Sequence, residues 1–263
     1  METIPLNVVV YDKGEFMRKF ICFLMSLLMG FSMASCGISS GASNNDNEDS
    51  TPTKPLQGKQ IIFLGSSLTL GDNGYSMCEY LFETHGCEVT KWAINSTWLI
   101  HRNDGTSYVE RLAKNAEFVE ECDFFICQLS TNGSGIPIGE VSGSYLSEDF
   151  DTTTIIGAIE FVIAKAKETW GCPVAFYTTA YFKSSTYPSW VNALYKVQEK
   201  WNKGKTYFGI IDLYGDKDFN DITDEQREVY FKADGVHVTQ KAYAEWWGPQ
   251  FANFLLDYYD KKS

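Results

Sequence analysis

Basic residues and histidines are scarce in this chain of 263 residues. It holds 22 Lys and Arg residues against 34 Asp and Glu residues, and its formal net charge is −12. Nucleic-acid binding needs a surface rich in Lys and Arg that displaces counterions from phosphates. The charge balance therefore argues against a nucleic-acid partner, and it equally argues against electrostatic adhesion to anionic lipid. Hydrophobic residues make up 44% of the chain, which is enough to build a sizeable core.

The cysteines and histidines are not spaced as metal ligands. The sequence has no C-x-x-C pair and no cluster of His and Cys, so neither a metal site nor a cofactor is predicted. Most of the downstream cysteines lie in apolar stretches, which favours buried free thiols. An exported protein could instead oxidise a pair, and the closest pairs are Cys78–Cys87 and Cys122–Cys127. The five downstream cysteines are Cys78, Cys87, Cys122, Cys127 and Cys172.

A short apolar run near the N-terminus has the pattern of an export signal. Arg18 and Lys19 precede the uncharged residues 20–34, a run shorter than the roughly 20 residues of a membrane-spanning helix. The run leads into MASC, which resembles the lipobox of bacterial lipoproteins, and this resemblance implies lipidation of Cys36. We therefore expect an exported protein with a lipid anchor at a bacterial membrane. A plain secretory signal or a buried strand is the alternative.

The composition divides the chain into three segments. Residues 1–36 form an N-terminal extension with the lipoprotein signal, and Met17 has the position of a natural start, which would place residues 1–16 outside the exported protein. Residues 37–58 are rich in Gly, Ser, Asn and Asp, and such a segment cannot bury enough surface to offset its ordering entropy. They are predicted to be a flexible tether. Residues 59–263 form the predicted folded domain.

Five apolar runs alternate with helical patterns in this domain. The predicted strands are 59–65, 87–94, 122–129, 172–179 and 205–213, and the predicted helices are 75–85, 107–121, 153–170, 189–203 and 239–259. Thr239 is the expected N-cap of the last helix, and Gly248-Pro249 is an expected break or kink in it. This order predicts an α/β fold, a parallel sheet with helices on both faces. Ligands bind such folds beyond the carboxyl ends of the strands.

Polar side chains occur in the segments where this fold would place a site. The loop after the first strand reads FLGSSLTLGDNG, in which Ser66 and Ser67 follow a glycine at a strand-to-helix turn. The loop is neither a G-x-S-x-G nucleophile elbow nor a nucleotide-binding glycine motif. Asn132 follows the third strand, and Asp234 and His237 lie in YFKADGVHVT before the last helix. A helix-capping serine turn and an acidic turn that happens to hold a histidine are the alternatives, but the co-occurrence favours catalysis.

These segments together resemble the sequence blocks of SGNH/GDSL hydrolases. GSSLT at 65–69 is similar to their G-D-S-L-[ST] block, STNG at 130–133 to G-x-N-D, and DGVH at 234–237 to D-x-x-H. The resemblance covers residues 59–258 and implies a three-layer α/β/α, flavodoxin-like fold with a five-stranded parallel sheet. It also implies that Ser67 is the nucleophile and His237 is the base, with Asp234 as its partner.

The resemblance further implies an oxyanion hole made by the N–H groups of Ser67 and Ser96 and by the Asn132 amide. The chain departs from the family blocks because Ser66 replaces Asp, Ser96 replaces Gly, and Ser130 and Gly133 replace Gly and Asp. None of these changes removes a triad side chain. For Ser96 we expect ordinary backbone angles and a hydroxyl that limits the acyl pocket to acetyl. The alternative is a strained backbone with positive φ.

The implied activity is a serine esterase that works through an acyl-enzyme. A lipid-anchored, exported esterase would meet acetylated glycans, which favours removal of acetyl groups from carbohydrate. Aromatic residues in the predicted loops could stack on sugar faces or pack beneath the loops; they are Trp98, Tyr181, Tyr187 and Trp190. A lysophospholipase or aryl esterase is one alternative. A non-catalytic glycan-binding lipoprotein with the same fold is another.

Overall fold

The computed structural model describes residues 8–11, 54–204 and 207–262. The predicted signal peptide with Cys36, and most of the predicted tether, lie outside the described residues. The last part of that tether, residues 54–58, forms a turn. Leu56 in this turn is fully buried, and the Gly58 N–H donates to the Gly86 carbonyl at 2.9 Å. The burial of one leucine therefore extends the folded domain upstream of residue 59.

A six-stranded sheet lies at the centre of the molecule. Its strands are β1 Val8–Tyr11, β2 Gln60–Gly65, β3 Glu88–Ala93, β4 Phe124–Gln128, β5 Val174–Tyr177 and β6 Phe208–Ile211, in the spatial order β1-β3-β2-β4-β5-β6. Strands β2 to β6 pair in parallel, which confirms the predicted five-stranded parallel sheet. Strands β2 and β4 are almost wholly buried because helices cover both faces of the sheet.

The edge strand β1 was not predicted. It pairs antiparallel with β3, so that Val8 lies opposite Trp92 and Tyr11 lies opposite Val89. Residues 1–16 are predicted to lie outside the exported protein because they precede the signal pattern. Three consecutive valines followed by tyrosine nevertheless have high β propensity. Without β1, β3 would be the edge of the sheet and would have unpaired backbone groups on its outer side.

Nine helices surround the sheet in the described part of the chain. They are α1 Ser67–Leu70, α2 Met77–Tyr80, α3 Tyr108–Asn115, α4 Ile155–Trp170, α5 Tyr187–Lys203, α6 Lys217–Asn220, α7 Asp224–Tyr230, α8 Gln240–Ala242 and α9 Gly248–Asp260. A π-helical turn, Leu81–His85, extends α2, so the predicted helix 75–85 is found with a change of helix type. Helices α1, α6 and α7 were not predicted, because segments of four to seven residues are too short to show a clear helical period.

Local signals in the sequence explain where several helices begin and break. Ser107 caps α3 in a reciprocal capping box with Glu110. Thr239 caps α8 as predicted, because its Oγ1 accepts from the Ala242 N–H at 3.3 Å. The predicted irregularity at Gly248-Pro249 takes the form of a π-helical turn, Tyr243–Trp247, directly before it. Proline has no N–H to donate and its ring disfavours regular α-helix over the preceding turn.

Two hydrophobic clusters fill the space between sheet and helices. One packs α3, α4 and α5 against one face, and the other packs α2, α8 and α9 against the opposite face. The five cysteines downstream of residue 53 are free thiols, as predicted, and neither alternative disulfide pair forms. Four of them are buried, while Cys122 is half-buried. Over the residues described, no helix combines the length and apolar character needed to cross a bilayer.

Candidate active site

Three side chains from two loops form a continuous hydrogen-bonded series at the carboxyl edge of the sheet. Ser67 begins α1 directly after β2. His237 Nε2 lies 2.7 Å from Ser67 Oγ, and His237 Nδ1 lies 2.7 Å from Asp234 Oδ2. The structure therefore brings together the predicted nucleophile, base and orienting carboxylate, which are up to 170 residues apart in sequence. The order of the three groups is that of a Ser–His–Asp triad.

A short hairpin presents Asp234 and His237 on the same side of one turn. Phe231 and Val238 form an antiparallel bridge at its base, and the Lys232 N–H donates to the His237 carbonyl at 2.8 Å. Gly235 occupies the left-handed region at φ +68°, which glycine adopts without the steric cost that other residues have. The D-x-x-H spacing therefore places the acid beside the imidazole through local backbone geometry.

The Asp234 carboxylate is held in its charged form. Its Oδ1 accepts from the N–H groups of His237 at 2.8 Å and Val236 at 2.9 Å. Desolvation acts to raise the pKa of Asp234, but these backbone hydrogen bonds and the contact with the His237 imidazole outweigh it. The net pKa lies below its ordinary value. An ionised carboxylate at this place fixes the Nδ1–H tautomer of His237 and leaves Nε2 free to accept a proton.

Ser66 and Ser67 are neighbours with different environments. Ser66 is fully buried, whereas Ser67 is half-buried. The Ser66 N–H donates to Gln128 Oε1 at 2.8 Å, and its Oγ accepts from Gln128 Nε2 at 3.2 Å and from Asn132 Nδ2 at 3.1 Å. Ser66 is thus a structural member of the site. Its hydroxyl is not in contact with the imidazole that would activate a nucleophile.

Gln128 is a site residue that is not among those predicted from the sequence. It ends β4, and its Oε1 accepts from Ser66 and also from Thr69 Oγ1 at 2.9 Å. A Cβ on Gly65 would lie only 1.7 Å from Thr69 Oγ1 and 2.7 Å from Gln128 Oε1. Gly65 therefore has no room for a side chain. The sequence feature that could have identified Gln128 is its amide side chain, which is the only one in the otherwise apolar strand FFICQL.

Asn132 is fixed next to Ser66. Its Nδ2 donates to the Thr97 carbonyl at 3.0 Å and to Ser66 Oγ at 3.1 Å, and its own N–H donates to Ser130 Oγ at 3.0 Å. Both amide hydrogens therefore have protein acceptors. Ser66 Oγ, a neutral hydroxyl, is the acceptor that a charged oxygen would most readily replace.

Ser96 differs from its prediction. It has φ +60°, so the expectation of ordinary backbone angles is wrong, and its side chain is exposed. Asn95 and Ser96 form the tight turn that follows β3, which is closed by a hydrogen bond from Thr97 Oγ1 to the Ile94 carbonyl at 2.8 Å. A left-handed residue is needed for this reversal. Glycine would meet that need without strain, whereas serine costs about 1 kcal/mol.

A buried guanidinium joins the ends of β2 and β3 beneath these loops. Arg111 is 5% exposed, and it donates to the carbonyls of Trp92 and Gly65 at 2.7 Å each and to Thr97 Oγ1 at 3.2 Å. Burial lowers the pKa of Arg111 to about 10, so the side chain remains a cation at neutral pH. Arg111 is not among the predicted site residues, and its signal in the sequence is an arginine at a core-facing position of helix α3.

The four aromatic residues considered for sugar stacking divide into two groups. Tyr187 and Trp190 are only 2% and 3% exposed, so they pack within the core and cannot contact a sugar. Tyr181 is 52% exposed, and its ring lies 5.3 Å from that of Tyr214. Trp98 is half-buried beneath the guanidinium of Arg102, which lies 3.9 Å from its ring.

The described residues include no group of three His, Cys, Asp or Glu side chains that could hold a metal ion. A polarised serine, a histidine base and several N–H donors are the groups that acyl transfer requires.

Comparisons with known proteins find similarity in three-dimensional structure alone. No protein-family model matches the chain, and no curated protein sequence matches it either. Among solved structures, a candidate GDSL-like lipase from Bacteroides ovatus has a TM-score of 0.56 at 13% identity, over 76% of this chain and 99% of that chain. A candidate SGNH hydrolase from Slackia heliotrinireducens has a TM-score of 0.50 at 16% identity, over 75% and 98%.

A further similar structure is an acetyl xylan esterase from the rumen bacterium Butyrivibrio proteoclasticus. Its TM-score is 0.50 at 11% identity, over 78% of this chain and 66% of that chain. Identities this low are informative about architecture alone. The five parallel strands, the flanking helices and the similarity to these hydrolases and esterases lead to one conclusion: the chain has the SGNH hydrolase fold.

Proposed function

We propose that this protein is a serine esterase that removes small acyl groups, chiefly acetyl, from carbohydrate. The observation that carries the proposal is the unbroken series from Ser67 Oγ through His237 to Asp234, with 2.7 Å at each step. In this proposal Ser67 is the nucleophile, His237 the general base and acid, and Asp234 the residue that orients the imidazole. The oxyanion hole comprises the N–H groups of Ser67 and Ser96 and the Asn132 amide.

The reaction proceeds through an acyl-enzyme. His237 Nε2 takes the proton of Ser67 as its Oγ attacks the ester carbonyl carbon, and the carbonyl oxygen becomes an oxyanion. Asp234 stabilises the imidazolium that forms. When the C–O bond to the sugar breaks, His237 returns the proton to the leaving alkoxide. A water molecule, deprotonated by the same nitrogen, then attacks the acyl-enzyme, which releases the carboxylic acid and regenerates Ser67.

Oxyanion stabilisation in this proposal requires one adjustment at Asn132. The oxyanion would take the amide hydrogen that now points to Ser66 Oγ, while the hydrogen bond to the Thr97 carbonyl at 3.0 Å keeps the amide in place. A preorganised donor of this kind contributes roughly 3–4 kcal/mol to stabilisation of the transition state. In this proposal Ser66 Oγ accepts the Asn132 amide hydrogen until the oxyanion forms and replaces it.

The preference for a small acyl group rests on crowding beside Asn132. Gly133 has φ +114°, and a Cβ there would lie 2.5 Å from Ile136 Cδ1 and 3.2 Å from Trp98 Cε3. Two large side chains therefore press against the backbone next to the proposed oxyanion donor. The exposed ring of Tyr181 supports the carbohydrate half of the proposal, because tyrosine faces pack favourably against sugar rings.

A substrate panel with two serine variants tests the proposal. The wild-type protein, Ser67→Ala and Ser66→Ala are assayed with p-nitrophenyl acetate and butyrate, an acetylated xylo-oligosaccharide and a lysophospholipid. We expect turnover of the acetyl esters, with kcat reduced at least about a thousandfold in Ser67→Ala. Faster turnover of the lysophospholipid would replace the carbohydrate proposal with a lysophospholipase. Failure to hydrolyse any ester, with retained binding of the oligosaccharide, would identify a glycan-binding protein without catalysis.

A further inference from the structure

The segment after α1 contacts the hairpin that holds Asp234 and His237. Asp72 lies in this segment. Its Oδ1 accepts from Lys232 Nζ at 2.6 Å, its Oδ2 accepts from the Gln240 N–H at 3.1 Å, and its carbonyl accepts from Gln240 Nε2 at 3.0 Å. Lys232 precedes the Asp234–His237 turn and Gln240 follows it. A single aspartate therefore joins both ends of the turn to the serine side of the site.

The segment that carries Asp72 is itself held rigidly. Asp72 and Tyr75 exchange two backbone hydrogen bonds of 2.9 and 3.0 Å. Gly71 between α1 and this bridge has φ +88°, and a Cβ there would lie 2.0 Å from the Tyr75 carbonyl oxygen. The side chain of Asp72 thus projects from a tight turn with little freedom to move along the sheet edge.

A buried lysine fixes the same segment from below. Lys91 is 1% exposed, and its Nζ donates to the carbonyls of Leu70 and Gly74 at 3.2 and 2.8 Å and to Glu79 Oε1 at 2.6 Å. These two carbonyls lie on either side of Asp72. The position of the aspartate is therefore fixed by strand β3 in the core, rather than by a surface loop.

The Ser67–His237 hydrogen bond depends on such contacts. The two residues are 170 positions apart, and a misplacement of about 1 Å in a catalytic group costs roughly a hundredfold in rate. The described structure shows one further link between the segments near them, from the Tyr243 hydroxyl to the Leu68 carbonyl at 2.9 Å. That link restrains the helix after the hairpin. Asp72 restrains the hairpin on both sides of the histidine.

We propose that Asp72 is a positioning residue, which sets His237 against Ser67 by joining both ends of the Asp234–His237 turn to the nucleophile segment. This inference rests on the proposed esterase function. Asp72 contacts neither the triad side chains nor, in the proposal, the ester. Its two oxygens have separate tasks. Oδ1 holds the Lys232 side of the turn, and Oδ2 holds the first N–H of α8.

The test compares Asp72→Ala, Asp72→Asn and Lys232→Met with the control Lys241→Ala. Lys241 makes an exposed ion pair with Glu245 on the same stretch of chain, but it does not reach the nucleophile segment. We expect Asp72→Ala to lower kcat for p-nitrophenyl acetate by about a hundredfold with KM changed less than about threefold. Asp72→Asn keeps one acceptor oxygen and should match Lys232→Met at about tenfold. The control should retain wild-type kcat.

A second readout separates this inference from the proposed function. Each variant is treated with a fluorophosphonate, which labels a serine activated by histidine and needs no knowledge of the natural ester. Absence of labelling and of ester turnover in the wild-type protein would refute the proposed function. Equal labelling rates and equal kcat in wild type and Asp72→Ala would instead refute the positioning role, as would a change confined to KM. Thermal unfolding identifies a variant that fails to fold, in which case Asp72→Asn and Lys232→Met decide.

Discussion

At the scale of single residues, two adjacent serines have the same side chain and different surroundings. Ser67 Oγ contacts the imidazole, whereas Ser66 Oγ accepts from Gln128 and Asn132. We expect Ser66→Ala to keep the nucleophile and to lower kcat about tenfold, because Asn132 loses an acceptor that holds its amide in place. Steady-state kinetics with p-nitrophenyl acetate measure this. A loss as large as that of Ser67→Ala would mean that the nucleophile had been assigned to the wrong serine.

Ser96 gives a second prediction at this scale. Because its backbone is left-handed at φ +60°, Ser96→Gly should raise the free energy of unfolding by about 1 kcal/mol and the melting temperature by about 2–4 °C. The control is Ser134→Gly, an exposed serine on a neighbouring loop outside the left-handed region. Urea titrations of both variants measure the difference. A stability equal to that of wild type would show that the turn carries no strain.

Side-chain contacts could be predicted where the two residues are close in the sequence. Asp234 and His237 lie three residues apart and meet through one turn, so their spacing alone indicates the contact. Gln128 has a partner 62 residues away in the sequence and Asp72 has one 168 residues away, and nothing near them in the sequence marks those partners. The φ angle of Ser96 was also beyond prediction, because serine gives no sign of a left-handed turn that glycine would have marked.

At the scale of elements, strand β3 carries a lysine into the core. Lys91→Met would leave the Glu79 carboxylate, 6% exposed, without its cation and two carbonyls without their donor. Removing one partner of a buried pair costs about 3–5 kcal/mol of stability. The comparison is Lys59→Met, which breaks the half-buried pair with Asp123 and should cost less than about 1 kcal/mol. Chemical denaturation measures both, and similar losses would mean that the buried pair stabilises the fold no more than the Lys59–Asp123 pair does.

The elements that were predicted correctly are those with a sustained helical repeat of apolar residues or a continuous apolar run. Helix α4, Ile155–Trp170, and the apolar strand β4 both fall inside their predicted ranges. Helices α6 and α7 fall between the last strand and the triad hairpin, where short capped turns replace a sustained apolar stripe. Their N-caps, Asp216 and Thr223, are local signals of where the two helices begin.

At the scale of the whole molecule, two carboxylates that tie the site together make its integrity depend on pH. Hydrogen bonding to Lys232 lowers the pKa of Asp72 below 3.8, against desolvation, and the pKa of Asp234 is also lowered. At these two groups the folded chain therefore binds fewer protons than the unfolded chain, so this stability is present above their unfolded pKa and is lost as the pH falls through the folded pKa values. Urea titrations between pH 6 and pH 3 should show this loss, and Asp72→Asn should show a smaller one. An identical pH dependence in the variant would exclude Asp72 as a source.

Localisation is likewise a property of the whole chain. We propose that the protein is exported and anchored through a lipid on Cys36, on the basis of MASC and the apolar run before it. Wild-type protein should sediment with membranes and incorporate labelled fatty acid in a bacterial host. Cys36→Ala should be soluble and unlabelled, whereas Cys78→Ala, which alters a buried thiol of the domain, should remain anchored. A labelled Cys36→Ala protein would show that the lipid is attached elsewhere.

The edge strand β1 has a consequence for how the sheet would change when the chain is processed. Val8–Tyr11 lies upstream of Cys36, so a chain cleaved before that cysteine no longer carries β1. Maturation would then turn β3 from an interior strand into a border, with a row of backbone donors and acceptors open to any incoming strand. The precursor and the mature chain would share the candidate active site and differ at the lateral edge of the sheet. Anchoring at the membrane and exposure of the unpaired edge of β3 would then occur together.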